Sequence, residues 1–71
     1  MEKLINILKE INPDIDYNLE KKLIDDGIFG SIEIMTIIVE IEEQFGVVID
    51  AEDVTPENFN AVENIMKLIE K

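Results

Sequence analysis

The chain contains one serine, Ser31, and no cysteine, histidine, arginine or tryptophan. That inventory decides what chemistry its own side chains can do. Without histidine a Ser-His-Asp triad is impossible. Without cysteine there is no thiolate nucleophile, no disulfide framework and no thiolate zinc site. Carboxylates remain, and Asp25-Asp26 and Glu42-Glu43 are adjacent pairs. Neighbours on a helix do not face one another, and neither pair has a companion base. Asp50 to Glu57 is rich in acids but lacks the glycine and the terminal glutamate spacing of an EF-hand loop. Ser31 has no resident base to make it a nucleophile, yet another enzyme could modify it. The chain is not expected to be an enzyme.

Six lysines against seventeen acids give a formal net charge of −11. The lysines stand at positions 3, 9, 21, 22, 67 and 71. Between Leu23 and Met66 there is no basic residue, and there are eleven acids: Asp25, Asp26, Glu33, Glu40, Glu42, Glu43, Asp50, Glu52, Asp53, Glu57 and Glu63. The other six acids balance the lysines, so the whole net charge belongs to the middle of the chain. Phosphate binding needs Lys and Arg, which argues against nucleic acid and anionic membrane surfaces. Such a field steers a cationic partner in and repels copies of itself, so a monomer with basic partners is expected. A plain solubilising surface explains the charge equally well.

With 71 residues, 46% of them hydrophobic, the sequence supports one small domain over positions 1–71 that can build a core. The opening MEKLINILKEINPD places charges in its first turns and has no apolar run of signal-peptide length. The richest apolar run, Ile34 to Val39, includes Thr36 and is too short to span a bilayer. A cytoplasmic protein without a membrane role is expected.

The elements follow from hydrophobic spacing. Leu4, Ile5, Leu8 and Ile11 predict a first helix ending near Asn12-Pro13. A long loop follows to Gly30, with Ile15, Tyr17, Leu19, Leu23, Ile24 and Ile28 as apolar anchors and a helical turn over Leu19 to Leu23 behind Asn18. The second helix is predicted from Ser31, which can cap it, to Phe45, with Gly46 as a left-handed terminator. Ile34, Ile37, Ile38, Ile41 and Phe45 share its core face at about 100° per residue. Val47-Val48-Ile49 reads as an extended connector. Thr55-Pro56-Glu57 opens a short helix through about Asn60. Asn60 and Glu63 have capping-box spacing for a last helix with Val62, Ile65, Met66 and Ile69 inward. The expected fold is all-α, a small four-helix bundle of three main helices plus one short helix.

Ile32, Met35 and Val39 do not join the core face of the second helix. Either other elements cover that helix on two sides, or these residues form a docking face. The flanking acids Glu33, Glu40, Glu42 and Glu43 suit a docking rim, and a flexible Met35 suits several partners. At the same helix's start, free amides and the positive dipole end make an anion on Ser31 tolerable.

The segment Leu23 to Ile49, LIDDGIFGSIEIMTIIVEIEEQFGVVI, resembles the centre of acyl carrier proteins. The matching features are the serine opening the second helix, the aliphatic Ile32, the acid Glu33, the aliphatics along the helix and the closing Glu42-Glu43-Gln44-Phe45. Helix order and overall length match the family more loosely along the whole chain. The resemblance implies a carrier bearing a covalent 4′-phosphopantetheine on Ser31, which holds acyl intermediates as thioesters for fatty-acid, polyketide or related biosynthesis. It also implies partners: a phosphopantetheinyl transferase, and acyl-activating and acyl-transferring enzymes with basic patches. These would dock on Ile32, Glu33, Met35, Val39, Glu40, Glu42 and Glu43. The family's usual Asp before the serine is Gly30 here, and Thr36 replaces an acid common in fatty-acid carriers. An arm that brings its own thiol also reconciles thioester chemistry with a chain lacking cysteine. A D-alanyl carrier and an unmodified acidic adaptor are the alternatives.

Overall fold

The computed structural model describes residues 1–70. Helix α1 (Glu2–Ile11) puts Leu4, Ile7 and Leu8 in the core, and Asn12, extended, ends it. Ile7 replaces the expected Ile5 and Ile11 as a buried member; those two are only half-buried. The centre of the apolar stripe lies between Leu4 and Leu8, and Ile7 is three residues from one and adjacent to the other.

The long segment from Asn12 to Gly30 is held by three buried side chains, Tyr17, Leu23 and Phe29. The rings of Tyr17 and Phe29 stack with centroids 6.2 Å apart and planes 8° from parallel. The Tyr17 hydroxyl donates to the carbonyl of Asn12 at 2.6 Å and lies 3.1 Å from that of Leu8, fixing the loop to the end of α1. Two expectations fail here. Leu19 is not an anchor but 76% exposed. The residues from Leu19 to Leu23 form no helical turn either; the turn forms earlier, behind Asp16 instead of Asn18. Its carbonyl accepts the amides of Leu19 and Glu20, and its carboxylate accepts that of Asn18 at 3.1 Å. An acceptor side chain on the turn's first residue, bonded to the amide two residues on, decides its place.

Helix α2 (Ser31–Phe45) buries Ile37 and Ile41 and half-buries Ile34, Ile38 and Phe45. Gly46 follows at φ 66°, a left-handed conformation where only glycine avoids a steric penalty, and its amide donates to the Glu42 carbonyl at 3.1 Å. The last turn of α2 has no basic residue of its own. Lys3 of α1 supplies one: its ammonium donates to the Gln44 carbonyl and sits 4.9 Å from the Phe45 ring centroid.

The connector after Gly46 forms neither helix nor strand, and a single 3-10 turn (Ala51–Asp53) leads to α3 (Pro56–Phe59). Thr55 caps α3, its hydroxyl accepting the Asn58 amide at 3.2 Å, with Pro56 in the first turn. Helix α4 (Val62–Glu70) buries Val62, Ile65 and Ile69; Met66 is half-buried. The expected Asn60–Glu63 capping pair does not form, because both side chains are engaged with the long loop. Asn60 binds residues 24 and 25, and Glu63 binds Lys21. α1 packs on α2 and α4, and α3 packs on α4. The described residues thus form an all-α bundle of four helices, three long and one short, as expected.

Candidate functional site

Ser31 occupies the first helical position of α2, and Gly30 is the capping residue. Ser31 is exposed and its hydroxyl makes no capping bond, which corrects the expectation that it serves as the cap. The reciprocal half of a capping box is present instead. The carboxylate of Glu33 reaches back and accepts the Gly30 amide at 2.7 Å. That bond satisfies one donor at the helix start and leaves the serine hydroxyl without an internal partner among the described residues.

Beside Ser31 an open cleft of about 410 Å³ is lined by Ile34, Met35 and Ile38 of α2, Ile49 of the connector, Ala51 of the 3-10 turn and Val54. Ser31 is the one polar residue of that lining, at the N-terminal end of α2. The sequence placed Ile34 and Ile38 in the core. Their half-exposure reflects this cleft, which the helix's own periodicity does not reveal.

On the outer side of α2, Ile32 is 79%, Met35 67% and Val39 49% exposed. No other element covers them among the described residues, so the two-sided packing considered for α2 is not what the fold does. The neighbouring acids differ in freedom. Glu43 is exposed. Glu40 accepts from the Gln44 side chain at 2.9 Å. Glu42 is half-buried, and its carboxylate accepts the Ile49 amide at 3.0 Å, tying the connector to α2. Thr36 turns its hydroxyl back to the Ile32 carbonyl at 3.1 Å.

The loop that delivers Ser31 is strapped to the α3–α4 junction. Lys21 makes a two-oxygen ion pair with Glu63 at 2.6 and 2.7 Å, which holds the Glu63 carboxyl below its usual range. Tyr17, under the same loop, has its phenol pushed up by burial. Sequence reading found the serine, the exposed stripe and its acids. It missed the cleft and the strap, whose partners are far apart in the chain.

No protein-family model, curated protein or solved structure matches this chain. The geometry defines a small helical bundle whose α2 presents an apolar and acidic face, a surface capable of adaptor-type contacts with other proteins.

Proposed function

We propose that the protein is an acyl carrier: Ser31 accepts a 4′-phosphopantetheine arm from coenzyme A, and α2 presents the loaded arm to partner enzymes. The observation that carries this is the placement of the lone serine, exposed at the start of α2 and lining an apolar cleft, next to an uncovered apolar and acidic face. The resemblance of residues 23–49 to carrier proteins supports the same reading.

The residues present fit the group. The Ser31 hydroxyl is accessible, and the amides and dipole at the start of α2 favour a phosphate ester there. During attachment the Ser31 oxygen forms a new bond to phosphorus as the diphosphate P–O bond of coenzyme A breaks. The adenosine bisphosphate portion leaves, and the transferase takes the hydroxyl proton. Once attached, the arm supplies the thiol on which acyl groups travel as thioesters. The chain itself binds, orients and shields. Ile34, Ile38, Ile49, Ala51 and Val54 offer an aliphatic chain an apolar groove. An ammonium, as on a D-alanyl group, would find no acceptor among those side chains, which favours acyl over aminoacyl cargo. Ile32, Met35 and Val39 form the apolar centre of docking, with Glu33, Glu40, Glu42 and Glu43 facing basic patches on the transferase and acyl-handling enzymes. Charge-steered encounter with a small apolar contact suits a carrier that must leave each partner.

The test is labelling with a fluorescent coenzyme A conjugate and a broad-specificity phosphopantetheinyl transferase. Label on the wild type and none on Ser31→Ala is expected. An unlabelled wild type beside a labelled reference carrier contradicts the proposal and leaves the adaptor reading.

A further inference from the structure

Asn60 makes more long-range polar contacts than any other single side chain described above. Its own carbonyl accepts the Leu23 amide at 3.0 Å. Its side-chain oxygen accepts the amides of Ile24 at 2.9 Å and Asp25 at 3.0 Å, and its side-chain nitrogen donates to the Asp25 carboxylate at 3.0 Å. Asn60 also terminates α3, its amide donating to Pro56 at 2.8 Å. One half-buried residue therefore clamps three consecutive loop residues to the end of α3.

The clamp does not stop at Asp25. The Leu23 carbonyl accepts the amides of both Ile28 and Phe29 at 3.1 Å, so the peptide units on either side of Leu23 join Asn60 to the residues just before Gly30-Ser31. Phe29 is buried and stacked on Tyr17. On the other side, α3 begins next to Val54, which lines the cleft opposite α2. Asn60 thus connects the loop bearing the serine to the end of α3, the short helix that follows the far wall of the cleft in the chain.

We propose that Asn60 is a positioning residue for Ser31, setting where the hydroxyl stands relative to the cleft and so its competence as an acceptor. This rests on Ser31 being the attachment point of the arm. Among the described residues the hydroxyl has no internal bond to hold it, so the loop and α2 decide its position. Displacement of a reacting atom by about 1 Å can cost on the order of 100-fold in rate.

The chemistry of the clamp provides its own rescue. Asn60→Asp keeps both acceptor bonds to the loop amides but sets a carboxylate against Asp25. Adding Asp25→Asn restores the side-chain bond with donor and acceptor exchanged, at unchanged net charge. Arm transfer from coenzyme A is measured with each variant as substrate, at a temperature where circular dichroism shows it folded. Asn60→Ala is expected to lower kcat about tenfold with KM little changed, since the α2 face is untouched. Asn60→Asp is expected to be similarly slow, and the Asp25→Asn/Asn60→Asp pair to recover. Asn64→Ala removes a bond from α4 to the Glu57 carbonyl without touching the loop, and should transfer at the wild-type rate. A wild-type kcat for Asn60→Ala, or an equal loss in Asn64→Ala, overturns the proposal. If Asn60→Ala does not fold, Asp25→Ala, which removes only the side-chain bond, takes its place with the same criteria.

Amide hydrogen exchange provides a readout independent of the arm. Loss of the Asn60 side chain should accelerate exchange at Ile24 and Asp25, and also at Ile28 and Phe29 if the clamp is transmitted. Acceleration confined to Ile24 and Asp25 overturns it. A wild type that takes no arm contradicts the carrier function, while the exchange pattern still decides the clamp.

Discussion

The Glu33 carboxylate accepts the Gly30 amide at 2.7 Å and lies 2.8 Å from the point where a Cβ on Gly30 would project. Gly30 has an extended backbone that any residue can adopt, so the conflict there is with Glu33 and not with φ. A capping side chain at position 30 and the back-folded Glu33 compete for one place. We expect Gly30→Asp to leave stability unchanged or slightly lower in the wild type, where Glu33 must swing away. In a Glu33→Ala background it should stabilise by roughly 0.3–0.5 kcal/mol, the ordinary gain of an Asp cap over glycine. Urea denaturation of the four proteins measures the coupling; additive effects would contradict the competition.

Tyr17 fixes the long loop to α1 and is buried, which raises its phenol above the usual value of 10.0. The folded chain therefore keeps a proton that the unfolded chain has released. The associated stability is present below pH 10 and lost as pH rises through the folded value. Tyr17→Phe should cost about 1 kcal/mol at neutral pH, from the lost hydrogen bond. Its unfolding midpoint should fall less steeply than the wild type's above pH 10, as followed by thermal melts across that range.

The Lys21 hydrogen bond holds the Glu63 carboxyl below the usual value of 4.5. This contribution to stability is present above pH 4.5 and disappears as acid titrates the folded carboxyl. The pair is exposed, so Glu63→Gln should change the neutral-pH melting temperature little. The difference between wild type and variant should shrink further below pH 4.5. A difference that grows on acidification would contradict the assignment.

Three features were readable because they depend on neighbours in the chain: the extent of α2, the Gly46 stop and the outward stripe of Ile32, Met35 and Val39. Helical spacing, a terminator and a break in the core face need no tertiary information. Asn60 was read as the cap of α4 because Glu63 stands three residues later. Its real partners, residues 23 to 25, are more than thirty positions away, and no local rule points to them. Phe29 escaped notice as an anchor because its stacking partner Tyr17 lies across a loop. The cleft was hidden for a related reason: Ile34 and Ile38 keep the spacing of core residues, and only the course of Ile49 to Val54 leaves them open to solvent.

Glu42 and Glu43 separate the two tasks of the acidic face. Glu43 is exposed, whereas Glu42 is half-buried and holds the Ile49 amide. Glu43→Lys should slow association with a basic partner several-fold at low salt, an effect fading above about 0.15 M, while leaving stability unchanged. Glu42→Lys should slow association too and also cost about 1 kcal/mol of stability through the lost connector bond. Stopped-flow binding and urea denaturation together test this. Equal stability of both variants would contradict the role given to Glu42.

Intact mass spectrometry after incubation with coenzyme A and a broad-specificity phosphopantetheinyl transferase tests the central claim most directly. The account predicts one added phosphopantetheine on the wild type and none on Ser31→Ala. A wild type of unchanged mass, beside a reference carrier fully converted in the same tube, would contradict it, as would an addition that survives Ser31→Ala.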